Sequence, residues 1–239
     1  MNNFKNNFSE LRLLANQNIT ISSVDGSFEF DILPITLKDS IFNEDLGILL
    51  GLLEKELSSL KKMLGGIEIK SYYDFIRTVC VLEARGKGTQ GLGEALKKGI
   101  KVFIPSWEEV PERQTFSIKG VEVKSDLFDE IIEVIYKILG KEKIIIKDTD
   151  DEFTRREKEI KLRAQRIRNN KKNKNSKGKD NSFENIIAAI IYEFPQYKIE
   201  DVFNLNIFTF NYLVKYIGKI ANYEVSKIAA GNGLTKKHK

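Results

Sequence analysis

One cysteine and one histidine in 239 residues leave this chain without the side chains from which most catalytic and metal sites are built. Cys80, alone, forms no internal disulfide, and His238 stands next to the last residue. A Cys/His zinc site, a Ser-His-Asp triad and a Cys-His dyad are therefore close to excluded, and neither a metal nor a cofactor is expected. Proline is equally scarce, at four residues, and each one falls where an element should end or a loop should run (Pro34, Pro105, Pro111, Pro195). No apolar run approaches the ~18 residues needed to span a bilayer. The polar, Asn-rich stretch Met1–Phe8 is unlike a signal peptide. These absences describe a soluble, reduced, intracellular protein with no membrane partner, outside the common hydrolytic classes. The hydrophobic share of 41% is ample for a packed core.

Charge is abundant but unevenly placed. The net charge of +5 conceals a segment, Arg155 to Lys179, with twelve basic residues against Glu157 and Glu159, which leaves the rest of the chain at −5. Its first half, Thr154 to Arg168, is compatible with a helix; its second, Asn169 to Asp180, has no apolar residue and reads as a linker. Arg155, Arg156, Arg163, Arg166, Arg168, Lys171 and Lys172 form a candidate phosphate-binding patch, because clustered Lys and Arg release counterions from nucleic acid. No aromatic lies among them to stack on bases, so a solvated connector accounts for the segment as well.

Hydrophobic periodicity supplies the elements. Ile19 to Leu33 alternates with a period of two around Asp25-Gly26, the signature of a hairpin with a two-residue turn. Leucines at spacings of three and four run from Leu46 to Leu64 and predict one helix, stopped by Gly65-Gly66. A second helix is expected over Tyr72 to Leu82 and a third over Leu127 to Leu139, capped by Ser125-Asp126. Lys101–Ile104 and Thr115–Val123 read as short strands, the latter turning at Lys119-Gly120. Beyond the linker the pattern is wholly helical: Phe183 to Phe194, a short turn or helix at Ile199–Asn204, and Phe208 to about Ala230. Hairpins and helices in no regular βαβ order argue an α+β fold. The expected organisation is an α+β domain over 1–147, a charged helix and basic linker over 148–181, and a small helical domain over 182–239. So short a C-terminal domain must bury its apolar face on the first domain, on a second copy, or on a partner.

Candidate chemistry is sparse. Gly86-Lys87-Gly88-Thr89-Gln90-Gly91 matches G-x-G-x-x-G, but helical rather than strand spacing precedes it, so a glycine loop between elements explains it equally. Glu108-Glu109 falls in an apparent loop with Trp107, where neighbouring carboxylates face solvent. The cluster Asp148, Asp150, Asp151 and Glu152 lacks the calcium-loop glycine and better suits the start of a helix. Cys80 lies on an apolar face and reads as core. The remaining signal is an apolar and aromatic helix face formed by Phe210, Leu213, Tyr216, Ile217, Ile220 and Tyr223, which serves either as core or as a surface for a partner helix.

From Phe128 onward, "FDEIIEVIYKILG", the charged connector and "SFENIIAAIIYEFPQYKIEDVFNLNIFTFNYLVKYIGKIANYEVSKIAAGNGLTKKHK" resemble tail or baseplate assembly proteins of tailed bacteriophages. The positions that carry the resemblance are Val202, Leu205, Ile207, Phe210, Tyr223 and Ala229-Ala230-Gly231. The resemblance implies a non-enzymatic morphogenesis chaperone that binds an apolar helix of a tape-measure or hub protein in the host cytoplasm and either leaves or stays in the virion tail. It transfers no catalytic residue. A homo-oligomer, and nucleic-acid binding through the basic segment, are the alternative partnerships.

Overall fold

The computed structural model describes residues 4–87, 91–141, 151–161 and 182–231, the last four as backbone only. Its N-terminal sheet is antiparallel in the order β1 (Phe4–Asn6), β2 (Ile19–Ser23), β3 (Glu29–Ile32). The alternation expected for the hairpin is realised: Ile19 faces Ile32 and Ile21 faces Phe30, all four buried. The connection is longer than a two-residue turn. Ser23 N–H donates to Phe28 O (2.9 Å), so Val24–Ser27 form the loop, with only Gly26 at positive φ (74°). The Asp25 carboxylate organises it, accepting from Ser23 Oγ (2.5 Å), Ser27 Oγ (2.8 Å) and Ser27 N–H (3.1 Å). Strand β1 was hidden from the sequence because its residues are mostly polar.

Those hydrogen bonds, led by Ser23, hold the Asp25 carboxyl down at about 2 against an ordinary 3.8. A carboxyl lowered in the folded state stabilises it above the unfolded value, and that contribution is lost as the pH falls through the folded value. A carbon-detected NMR titration should therefore place Asp25 near pH 2, with the loop's contribution complete above about pH 4 and fading below it. A midpoint at the ordinary carboxylate value would show that the serine cage is absent in solution.

Helices follow: α1 (Glu10–Leu14), α2 (Leu37–Phe42), α3 (Glu44–Leu53), α4 (Leu57–Met63), α5 (Tyr72–Ala84) and α6 (Leu92–Phe103). Caps fix several of the starts: Thr36 and Asp39 form a capping box on α2, Asn43 caps α3 and Ser71 caps α5. The single helix expected over Leu46–Leu64 is two, broken at residues 54–56. The carbonyls freed by the break are taken by distant phenols, Leu53 O by Tyr136 Oη and Lys55 O by Tyr72 Oη, both at 2.6 Å. Burial pushes the Tyr72 hydroxyl up to about 12. A leucine stripe that continues across the gap gives no local sign of it.

Two further expectations are overturned. Lys101–Ile104 is the end of α6 and its cap rather than a strand, because Leu96, Ile100 and Phe103 complete one buried helical face. The glycines that flatten its helix propensity are contact residues: a Cβ on Gly99 would sit 2.8 Å from Asp45 O and 2.9 Å from Leu49 Cβ on α3. Trp107-Glu108-Glu109 is not a loop but part of β4 (Trp107–Val110), which pairs with β5 (Thr115–Ile118); β5 pairs in turn with β6 (Val121–Glu122). The turn at Lys119-Gly120, with φ of 50° and 79°, is as read.

Helix α7 (Ser125–Ile138) follows this second sheet, packs against α5, β3 and α11, and buries Phe128, Ile131, Ile135 and Ile138. Gly140 at positive φ follows it. The described part of the charged segment is a helix, α8 (152–161), capped by Asp151, whose Oδ1 accepts from Thr154 N–H (2.7 Å). The last elements are α9 (Phe183–Glu193), ended by Pro195, then α10 (Ile199–Asn204) and α11 (Ile207–Gly231). The fold is α+β: helices around two small antiparallel sheets.

The C-terminal helices bury their apolar face on the N-terminal part. Ile207 N–H donates to Ile35 O (2.9 Å) and Leu37 N–H to Leu205 O (2.8 Å), around an antiparallel bridge between Thr36 and Asn206. Buried Asn206 donates from Nδ2 to Leu13 O (2.7 Å) and accepts at Oδ1 from Thr209 N–H (2.8 Å). Asn211 Nδ2 donates to Leu139 O (2.9 Å). Ile187, Ile190, Val202 and Phe210 thus join one core cluster with residues from Leu13 onward. Among the described residues no helix is long and apolar enough to cross a membrane.

Candidate partner-binding helix and the basic segment

Twenty-five residues give α11 a length of roughly 37 Å, more than the body beneath it covers. Its root is core: Ile207, Phe208 and Phe210 are buried, and Phe210 meets Phe183 with ring centroids 6.1 Å apart. The six-residue face read from the sequence is therefore divided. Phe210 is internal, and Leu213 and Ile217 are half-buried against the core, so these three support the helix rather than offer a surface. Tyr216 remains half-exposed beside Phe194 (6.1 Å), Ile220 is partly covered, and Tyr223 is 69% exposed. Val225, 66% exposed and off the expected stripe, was missed because helical spacing alone does not show where a helix leaves its support. Lys215, Lys219 and Lys227 flank this free half, against Glu224.

Of the basic patch, Arg155 and Arg156 are exposed on α8; Arg163, Arg166, Arg168, Lys171 and Lys172 lie outside the described residues, as do Asp148, Asp150 and His238. On α8 the positive charges alternate with Glu152, Glu157 and Glu159, and Lys161 pairs with Glu157 at 2.5 Å. Phe153 and Ile160, seven residues apart on the same helix, are 79% and 64% exposed. In the sequence Phe153 directly follows acidic residues and carries no periodic signal of its own.

The glycine motif joins two helices, with Gly86 following α5 and Gly91 preceding α6, both at positive φ; Gly88, Thr89 and Gln90 lie outside the described residues. The amides at the start of α6 that would cradle a phosphate already have an anion. Glu83 accepts from Gly91 N–H (3.2 Å) through Oε1 and from Gly93 N–H (2.5 Å) through Oε2. The motif is thus a helix cap supplied by the preceding helix.

Of the pair Glu108-Glu109, Glu109 is held in an ion-pair bridge. Lys97 bridges Glu109 (2.7 Å) and Glu94 (3.0 Å); burial alone would lower its ammonium, but the hydrogen bonds to these two carboxylates outweigh that and raise it. Cys80 is buried with Sγ 3.9 Å from Gly93 O, and desolvation pushes its thiol up to about 12, which suits core packing and not a nucleophile. Among the described residues no group of three His, Cys, Asp or Glu is arranged to hold a metal ion. No protein-family model, curated protein or solved structure matches this chain.

Proposed function

We propose that this chain is a non-enzymatic assembly adaptor of the tail or baseplate kind its C-terminal sequence resembles, and that the free half of α11 is its contact with an apolar helix of a tape-measure or hub protein. The observation that carries the reading is the division of α11: a root fixed in the core by Phe208 and Phe210, and an outer half that presents Tyr216, Tyr223 and Val225 to solvent. A long helix gains most of its stability from packing of an apolar face, so an uncovered outer half suits a partner helix laid along it. The aromatics supply large contact area at low cost in side-chain entropy, and the lysines around them favour an acidic partner face.

The test is a pull-down from infected cells with the full chain and with a Tyr216→Asp/Tyr223→Asp variant. Both substitutions fall on exposed positions, so the fold should survive. Recovery of a tape-measure or hub protein by the unaltered chain, lost in the variant, is the expected result; recovery of no tail protein overturns the proposal. Arg155 and Arg156 support a second reading, a nucleic-acid clamp, which requires steeply salt-dependent binding to duplex or single-stranded DNA.

A further inference from the structure

A second apolar surface lies away from the free half of α11, where α2, α9 and α10 meet. Phe42 on α2 and Phe203 on α10 have ring centroids 6.2 Å apart, and Phe203 is 6.2 Å from Phe183 on α9. The inner end of this aromatic row reaches Phe210 in the core, while the outer end stands in water: Phe42 is 67% exposed, with Ile41 and Ile199 also uncovered. Four rings in series from core to solvent form a firm platform, because each is held by its neighbour. Phe42 also lines an open depression with Lys38, Asp39, Asn43, Glu44 and Asp45, so the platform has an acidic border.

The same chain displays the complementary shape and charge. On α8, Phe153, Arg156 and Ile160 stand at positions i, i+3 and i+7 and share one face. It is a short apolar stripe with a guanidinium at its centre; Glu152 and Glu159 stand one turn to either side of Arg156, and Glu157 is paired with Lys161. Within one chain neither surface covers the other, since Phe42 and Phe153 are both largely exposed.

We infer that α8 of one copy docks on the α2–α10 platform of a second copy, with Phe153 and Ile160 against Phe42 and its neighbours and Arg156 facing the border of Asp39, Glu44 and Asp45. Apolar surface at the centre with opposite charges around it is the usual make-up of a specific interface. A single helix against a small platform makes a weak contact, in the range of transient association. Reciprocal exchange, in which each copy gives its α8 to the other, closes the pair as a dimer and doubles the contact.

The test is sedimentation velocity on the full chain over about 1 to 200 µM, a span suited to weak association. Phe42→Glu and Phe153→Glu variants are compared separately and as an equimolar mixture. Both positions are exposed, so circular dichroism should show the fold unchanged. The expected result is concentration-dependent dimerisation of the unaltered chain, weakened at least about tenfold in each variant and partly restored in the mixture, where one copy keeps its platform and the other its α8. A monomer throughout, variants that dimerise like the unaltered chain, or a mixture no better than its components would each overturn the inference. Tyr216→Asp/Tyr223→Asp leaves this association intact, so its outcome is separate from that of the proposed function.

Discussion

Phe128→Ala should lower the unfolding free energy by about 3–5 kcal/mol, the cost of removing a fully buried aromatic and leaving a cavity behind. Phe128 is completely buried on α7, and its ring lies 5.9 Å from Trp107 and 5.7 Å from Tyr73. Phe116 closes the group, 4.9 Å from Trp107 and 6.2 Å from Tyr73. The four rings come from α5, β4, β5 and α7, so one truncation loosens the attachment of the second sheet to two helices at once. Among the described residues the Trp107 indole N–H has no hydrogen-bond partner, so apolar and aromatic packing holds that ring. Chemical denaturation followed by far-ultraviolet circular dichroism would show the midpoint shifted at constant slope. A loss below about 1 kcal/mol would mean that the cluster collapses around the gap or is not packed as described.

Gly99→Val should be nearly as severe, at about 3 kcal/mol or more, and for the opposite reason: excess volume rather than missing volume. The added Cβ meets the backbone oxygen of Asp45 at 2.8 Å and the Leu49 Cβ at 2.9 Å, and a main-chain carbonyl inside α3 has no rotamer by which to withdraw. Gly47→Ala on α3 is the paired control. Nothing lies within 4 Å of a Cβ there, so the ordinary helix preference for alanine over glycine, about 1 kcal/mol, should appear as a gain. Opposite signs for these two substitutions in denaturant titrations are the expected outcome. Equal signs would show that α3 and α6 do not approach as closely as Gly99 indicates.

What the sequence discloses of this fold, and what it conceals, follows from the range over which each feature is decided. Alternation around Asp25-Gly26, the turn at Lys119-Gly120, the face of α7 and the boundaries of α10 are settled within a few residues and were legible. The break between α3 and α4 is settled by Tyr72 and Tyr136, one of them 83 residues from the carbonyl it meets, and no local pattern announces it. Helix α6 was hidden by glycines that lower intrinsic propensity for the sake of close packing, Gly93 on α5 and Gly99 on α3. The same distinction governs the candidate site. Periodicity found the face of α11, but the boundary between its supporting and free halves depends on where Ile35, Leu139 and Phe194 stand in space. Exposed Phe153 stands alone among polar residues and Phe42 has only Ile41 beside it; only the folded chain shows that Phe42 ends an aromatic row and that Phe153 belongs to an exposed stripe.

The clasp between residues 35–37 and 205–207 has a mechanical consequence. Its two backbone hydrogen bonds lie at the foot of α11, beside Asn206, whose amide is tied to α1. A load applied to the outer end of that helix would travel down a stiff rod to a point where three separated stretches of chain are joined, instead of peeling away a terminal strip one bond at a time. The protein could in this way be towed by α11 with the body remaining intact.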